Sequence, residues 1–144
     1  MKRYIAFALA TVVVLAAAGA VLAAEKAVVS PASEMKWMDN PAVPGAKMAV
    51  LWGDPKTGGY GAVKKIPAGT ALGLHTHAHD QKAVTLSGTL EFNFEGEPKK
   101  DLSSGSYVFI PGGAPHEATC KAGAECVYFE ESAFAADFKT ATKK

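Results

Sequence analysis

The chain has 144 residues, of which 49% are hydrophobic and 20% are charged, with 15 basic and 14 acidic side chains. This length suits one small domain with its own core, and the nearly balanced charge does not indicate a basic face of the kind that binds nucleic acid. The two cysteines and four histidines are the side chains best suited to metal or redox chemistry.

The first 24 residues predict a secretory signal peptide. A basic start precedes an almost unbroken apolar run from Tyr4 to Leu22, and the chain turns polar at Glu25. An uncleaved membrane anchor is the alternative, because the run is nearly long enough to span a bilayer. Its alanine-rich end favours cleavage after Ala23 or Ala24. We therefore expect a periplasmic or secreted protein without a stable membrane anchor after signal cleavage.

The remaining chain predicts an all-β domain with short extensions. Residues 25–45 are weakly periodic and indicate an N-terminal arm. Over residues 46–131, short apolar runs alternate with turn signals, which is typical of an antiparallel sandwich or barrel. The expected strands cover 47–52, 61–66, 71–77, 82–86, 89–94, 107–110, 116–120 and 126–130. Residues 96–101 predict a solvated connection between two of them.

Residues 132–144 form a C-terminal tail in this division of the chain. Phe134 and Phe138 are four residues apart, so one helical turn could pack both rings on the domain. We therefore expect a short helical segment at the end of the chain.

The two cysteines lie close together in sequence. Cys120 and Cys126 are separated by five residues, so in an oxidising compartment they can close a disulfide across a hairpin. Two partly buried thiols are the alternative. A metal-binding pair is disfavoured because no other soft ligand lies close in sequence. The disulfide is the favoured interpretation.

All four histidines lie in two short stretches of the sequence. His75 and His77 are two residues apart, so on a strand both imidazoles point to the same face. His116 follows a Pro-Gly-Gly turn about forty residues later. Imidazole is the commonest protein ligand for mid-row divalent metals, so a metal site formed from two strands is indicated.

Both stretches resemble the paired motifs of the cupin superfamily, whose members are small antiparallel jelly-roll barrels that hold a metal. The first motif is matched by Gly69, His75, His77, Gln81 and Gly88, and the second by Gly105, Pro111, Gly113, His116 and, at its last position, Cys120. The resemblance implies a single antiparallel β-sandwich or jelly-roll barrel. It also implies a divalent metal (iron, manganese, zinc, nickel or copper) bound by His75, His77 and His116. The alternative is that these histidines are packed core groups without a metal.

Two positions depart from the cupin pattern. Gln81 stands where the family has a glutamate ligand, and Cys120 stands where it has an asparagine. As a fourth ligand, Gln81 would bring a neutral oxygen, which binds a metal more weakly than a carboxylate and cannot act as a base. His79 shares the spacing of the ligands, but the resemblance implies a residue at the rim. Asp80 is an alternative anionic ligand if its side chain swings inward.

A narrower resemblance is carried by Leu51-Trp-Gly-Asp-Pro, Gly59-Tyr-Gly-Ala and Pro67-Ala-Gly69. These segments resemble a group of small bacterial cupins, described as a domain of unknown function and similar to the cupin domain of ChrR-type anti-sigma factors. The resemblance implies a metal cupin that binds or acts on a small organic molecule, with dioxygenase, isomerase or lyase chemistry open. A non-catalytic metal- or ligand-sensing cupin is the alternative. A homodimer is also expected from the family, and no catalytic residue is assigned.

Overall fold

The computed structural model describes residues 26–143, and in this part of the chain strands are joined by turns with one short 3₁₀ turn at Ala32–Glu34. The strands are β1 Met38–Asp39, β2 Lys47–Gly53, β3 Tyr60–Ile66, β4 His75–Thr76, β5 Gln81–Ser87, β6 Thr89–Phe94, β7 Lys100–Ser103, β8 Tyr107–Ile110, β9 His116–Cys120, β10 Cys126–Ser132 and β11 Lys139–Thr140. The all-β class is confirmed. The predicted signal peptide, residues 1–24, lies outside the described residues. The homodimer stays a prediction.

The strands form two antiparallel sheets. Sheet I has the order β1-β2-β3-β10-β5-β8, and sheet II has the order β11-β4-β9-β6-β7. One apolar core cluster contains residues of both sheets, including Ala83 and Tyr128 from sheet I and Leu90 and Cys120 from sheet II. The two sheets therefore pack face to face as a β-sandwich barrel, as predicted. Over residues 26–143, no helix is long and apolar enough to cross a membrane.

Side-chain burial alternates along the central strands. In β9 and β10 every second residue is buried, beginning with His116 and Cys126 respectively, which is the period-two pattern of strands with one face on a core. In β6 the alternation predicted from the sequence is present, because Leu90 and Phe92 are both buried. Burying each of these side chains contributes roughly 1.5–3 kcal/mol of transfer free energy.

Two elements differ from the sequence-based expectation. Residues 96–101 were expected to form a solvated connection, but β7 begins at Lys100 and pairs with β6. It is the edge strand of sheet II and mostly exposed, and edge strands commonly carry charged residues. The strand expected at 71–77 is shorter, since β4 covers only His75–Thr76, preceded by an isolated bridge from Ala71 to Thr119.

The expected helical turn in the C-terminal tail is wrong. Phe134 and Phe138 lie in irregular backbone, and Lys139–Thr140 forms β11, which pairs with β4. The exposed edge of β4 offers backbone hydrogen bonds to a neighbouring strand, whereas a single isolated helical turn has a high nucleation cost. The two phenylalanines therefore pack on the domain from an extended segment.

Cys120 and Cys126 form a disulfide, as the sequence favoured. Both residues are fully buried, one at the end of β9 in sheet II and the other at the start of β10 in sheet I. The bond therefore joins the two sheets at one end of the barrel. Next to it, Gly88 has a φ of 74°, and a Cβ atom there would lie 2.6 Å from the Glu125 carbonyl oxygen, so only glycine fits this turn.

Candidate metal centre

Adjacent strands of sheet II bring three histidines together. His75 in β4 pairs directly with His116 in β9, and His77 follows the end of β4. All three side chains are buried, and one ring nitrogen from each lies within 4.8 Å of the others. The spacing in the sequence therefore correctly predicted that these three imidazoles share one site.

The second ring nitrogen of each histidine is fixed by a backbone carbonyl. The Nδ1 of His75 lies 2.8 Å from the carbonyl oxygen of Gly73, and the Nδ1 of His116 lies 2.9 Å from that of Ala114. The Nδ1 of His77 bonds to the carbonyl oxygen of Asp137. A carbonyl only accepts, so each Nδ1 carries a proton, and in the neutral imidazole Nε2 is then the nitrogen that keeps its lone pair. This arrangement orients histidines that bind metals in proteins.

Burial favours the neutral form of two of these histidines, His75 and His116. Desolvation lowers the pKa of His116 to about 4 and also lowers the pKa of His75, with a smaller contribution from the neighbouring histidines. Neutral imidazole is the form that binds a metal. The donor set therefore fits a mid-row divalent ion.

Gln81 opens β5 on sheet I and lines the cavity that contains the three histidines. Its side chain is 3% exposed, and its amide has no hydrogen-bond partner among residues 26–143. Every side-chain nitrogen and oxygen closed off from solvent in this part of the chain has a partner, so the Gln81 amide must reach the cavity surface, where it is available to a ligand. Its predicted role as the fourth metal ligand stays a prediction.

His79 and Asp80 lie outside the histidine cluster. His79 is exposed, and its ring stacks on Phe134 with 3.9 Å between the ring centroids. Asp80 is also exposed, and its Oδ1 accepts a hydrogen bond of 2.8 Å from the backbone N–H of Gly112. Asp80 thus connects the loop after the first histidine motif to the turn of the second.

Residues 133–141, here called the C-terminal strap, cover one side of the cluster. The ring of Phe138 stacks on His75 at 4.2 Å between centroids. The Asp137 carbonyl accepts the His77 Nδ1–H, while its carboxylate accepts the backbone N–H of Ala78 at 2.9 and 3.0 Å. Phe138 packs on the domain as the sequence predicts, whereas no sequence pattern indicated that the strap also contacts His77.

The cluster opens into a cavity of about 790 Å³ between the two sheets. Its walls are mainly apolar and include Ile66, Leu72, Leu90, Phe92, Val108 and Ile110. A cavity of this size and composition is suited to a small organic ligand.

Sheet I adds a buried charged group that the sequence analysis missed. Glu130 in β10 forms an ion pair with Lys64 in β3 and accepts a hydrogen bond from the Tyr60 hydroxyl. Although burial opposes ionisation, the Lys64 ammonium and the hydrogen bonds from Lys64 and Tyr60 hold the pKa of Glu130 below its usual value. The sequence signal was a charged residue at an inward position of each strand, visible only once the strand register is known.

Burial and the neighbouring Glu130 carboxylate also raise the pKa of Tyr60, so its phenol stays protonated. Lys64, Tyr60 and Glu130 all belong to sheet I. The cavity therefore has an imidazole cluster on one sheet and an ionised carboxylate on the other.

Comparisons with known proteins identify relatives over most of the chain. The model of a family described as a domain of unknown function (DUF4437) matches residues 19–132. The dimethylsulfoniopropionate lyase DddQ of Ruegeria pomeroyi is 39% identical over 51 residues, which are 35% of this chain and 25% of that protein. The chain thus matches only a quarter of the length of this curated relative.

Two solved structures share the fold. KdgF from a Halomonas species has a TM-score of 0.61 and 25% identity, over 75% of this chain and 94% of that one. An RmlC-like cupin from Shewanella frigidimarina has a TM-score of 0.58 and 20% identity, over 81% and 93% of the two chains. With its family match, its two-sheet barrel and these neighbours, the chain belongs to the DUF4437 family and has the fold of the cupin superfamily.

Proposed function

We propose that this chain is a metal-dependent cupin that binds a small organic acid in its cavity and converts it by lyase- or isomerase-type chemistry. The observation that carries the proposal is the convergence of three buried imidazoles beside a cavity of about 790 Å³. His75, His77 and His116 would hold the ion, with Gln81 as a neutral fourth donor. When bound, a divalent ion supplies Lewis acidity towards a carboxylate or carbonyl oxygen.

The charge of the site favours an anionic ligand. Burial lowers the pKa of His116 and His75, which favours neutral donors, Gln81 is also uncharged, and the nearby Glu130 carboxylate is already paired with Lys64. The positive charge of a metal ion bound by neutral donors in a buried site costs free energy unless an opposite charge lies close. A carboxylate on the ligand would provide that compensation, while the apolar walls would accommodate its carbon skeleton.

The choice of reaction class is supported by the curated relative. The 51-residue match is to a lyase whose named substrate, dimethylsulfoniopropionate, carries a carboxylate. That activity belongs to the relative, and here it favours a non-oxidative reaction of an organic acid over the dioxygenase alternative.

Metal binding is tested first, by metal analysis of the purified protein and by calorimetric titration with Zn²⁺ and Mn²⁺. We expect one ion per chain. We expect His77→Ala and His116→Ala to abolish binding, whereas His79→Ala, which changes an exposed ring outside the cluster, should bind as the wild type does. A chain that binds no ion, or a His116→Ala variant that binds equally well, would contradict the proposal.

Turnover is tested on the metal-loaded protein with dimethylsulfoniopropionate and other 3-substituted propionates, using proton NMR to detect an unsaturated or isomerised acid. We expect product with at least one of these acids and none with His116→Ala. Metal and acid binding without any product would favour the non-catalytic sensing alternative instead.

We also propose that the protein is exported. The predicted signal peptide, residues 1–24, supports this, and so does the disulfide between Cys120 and Cys126, a bond typical of oxidising compartments. Cell fractionation and N-terminal sequencing should recover a chain in the periplasm or the medium that begins near Glu25. A full-length chain in the cytosol would contradict the proposal.

A further inference from the structure

Glu130 lies in the middle of sheet I, across the cavity from the histidines. Its strand, β10, is flanked on both sides, and the register places Ala62 of β3 and Ala83 of β5 beside Glu130. Its side chain is 6% exposed and lines the same cavity as the histidine cluster. Burial lowers the pKa of His75 and His116, and the Glu130 charge partly opposes that shift. The carboxylate is therefore within electrostatic reach of the cluster.

The two oxygens of this carboxylate have different surroundings. Oε1 accepts hydrogen bonds from both the Lys64 ammonium and the Tyr60 hydroxyl. Oε2 has no hydrogen-bond partner among residues 26–143. In the same part of the chain, no side-chain nitrogen or oxygen that is closed off from solvent lacks a partner. The unpartnered Oε2 must therefore reach the surface of the cavity.

A purely structural role for the ion pair of Glu130 and Lys64 would not explain the other polar groups that line the cavity. The Gln81 amide, the Thr85 hydroxyl and the Tyr128 hydroxyl also line the cavity, and none of them has a hydrogen-bond partner within residues 26–143. Buried polar groups in proteins are nearly always hydrogen-bonded. A wall with several unpartnered polar groups is suited to binding a polar ligand.

Other carboxylates at the cavity are already engaged. Asp39 is exposed and paired with Lys47, and both oxygens of Asp137 accept the backbone N–H of Ala78. Gln81, at the position of the usual glutamate, cannot accept a proton. Within residues 26–143, Glu130 is therefore the carboxylate that offers a free, ionised oxygen to a ligand in the cavity.

We propose that Glu130 is the general base of this cavity, held in place by Lys64 and Tyr60. With the organic acid of the proposed function, on which this part of the inference rests, Oε2 takes the proton from the carbon next to the substrate carboxylate. The electron pair of that C–H bond becomes a new carbon–carbon double bond. The substituent on the following carbon leaves with the pair that bound it. No oxidant or reductant is required.

The test uses a probe that is independent of the natural substrate and of the metal. 5-Nitrobenzisoxazole loses the proton on its C3 carbon to a base, its N–O bond breaks, and the coloured cyanonitrophenolate forms. The rate is measured with the full chain, both loaded with Zn²⁺ and treated with EDTA. We expect the wild type to open the ring in both states, and Glu130→Gln to lose about a hundredfold of the rate, at the low end of general-base contributions.

Matched variants separate catalysis from folding. Glu130→Asp keeps the charge but shortens the side chain, so we expect a folded protein with most of the rate lost. Lys64→Met combined with Glu130→Gln removes both charges and should show the same loss. Glu131→Gln is the control, because this neighbour is paired with Lys82 away from the cavity. Circular dichroism and Zn²⁺ titration report on the fold and on the histidine cluster, and both should be unchanged.

Equal rates for the wild type, Glu130→Asp and the double variant would overturn the proposal, and so would an equal loss in Glu131→Gln. A chain that binds no metal but opens the probe only with Glu130 present would refute the proposed function and keep the base. A Glu130→Gln chain that binds metal and converts organic acids as well as the wild type would refute the proposed base and keep the proposed function.

Discussion

The two sheets contribute different chemistry to one cavity. Sheet II supplies imidazoles from two sequence motifs, because His75 and His77 share the first motif and His116 of the second lies on the neighbouring strand. Sheet I supplies an ionised carboxylate whose partners lie 66 and 70 residues away along the chain. The difference shows that one cavity can combine residues from local motifs with a long-range cluster whose members are brought together only by strand register.

Breaking the charged cluster of sheet I should have the largest effect on stability. Lys64→Met leaves Glu130 buried without its counter-ion, and we expect a loss of about 3–5 kcal/mol in the free energy of unfolding. Urea denaturation measures this loss. Adding Glu130→Gln should recover most of it, because the second change removes the uncompensated charge. No recovery would mean that the Lys64 side chain stabilises the fold by packing.

Acid should lower the free energy of unfolding of the metal-free protein, because His116 is buried. Because burial lowers the pKa of His116 to about 4, from 6.5, the unfolded chain binds a proton that the folded chain does not. Stability is therefore constant above about pH 6.5 and falls as the pH drops towards 4, on the order of 3 kcal/mol for this residue. Urea denaturation of the EDTA-treated protein across this range should show the loss, and His116→Gln should reduce it.

The C-terminal strap offers a way to weaken the histidine cluster without changing a histidine. A chain that ends after Ala133 lacks the carbonyl that accepts the His77 Nδ1–H and the ring that stacks on His75. We expect Zn²⁺ binding to weaken by about 10–100-fold, as for other groups that orient metal ligands. A chain that ends after Ala141 keeps the strap and is the control. Equal affinity in both would show that the strap does not position His77.

The smallest expected effect concerns Gln81, the neutral side chain at the position of the fourth ligand. Gln81→Glu should tighten Zn²⁺ binding about tenfold, or roughly 1.4 kcal/mol, because a carboxylate is a stronger donor than an amide and compensates the charge of the ion. Calorimetry measures the change. Asp80→Asn is the control and should have little effect. An unchanged affinity in Gln81→Glu would remove Gln81 from the ligand set.

The sequence predicted the elements that depend on local patterns. Strand periodicity identified β6 and β8 with their correct bounds, and histidine spacing identified three residues that the structure brings together. It did not predict β7 at Lys100, because a charged edge strand has the composition of a loop. It also missed Lys64 and Glu130, because a charged residue in a strand is ordinary until the register shows that both face inward.

The helical turn predicted for the C-terminal tail is wrong for a related reason. A four-residue spacing of Phe134 and Phe138 is compatible with a helical turn, but pairing with β4 depends on an edge that only the folded barrel presents. Tertiary contacts therefore decided the conformation of the segment that holds His77.

The disulfide links the two strands that carry His116 and Glu130. His116 lies four residues before Cys120 in β9, and Glu130 lies four residues after Cys126 in β10. Each residue lies about 13 Å along its strand from the disulfide, so both strands extend from one covalent link. The disulfide thus holds together, at one end of the barrel, the two strands that carry His116 and Glu130.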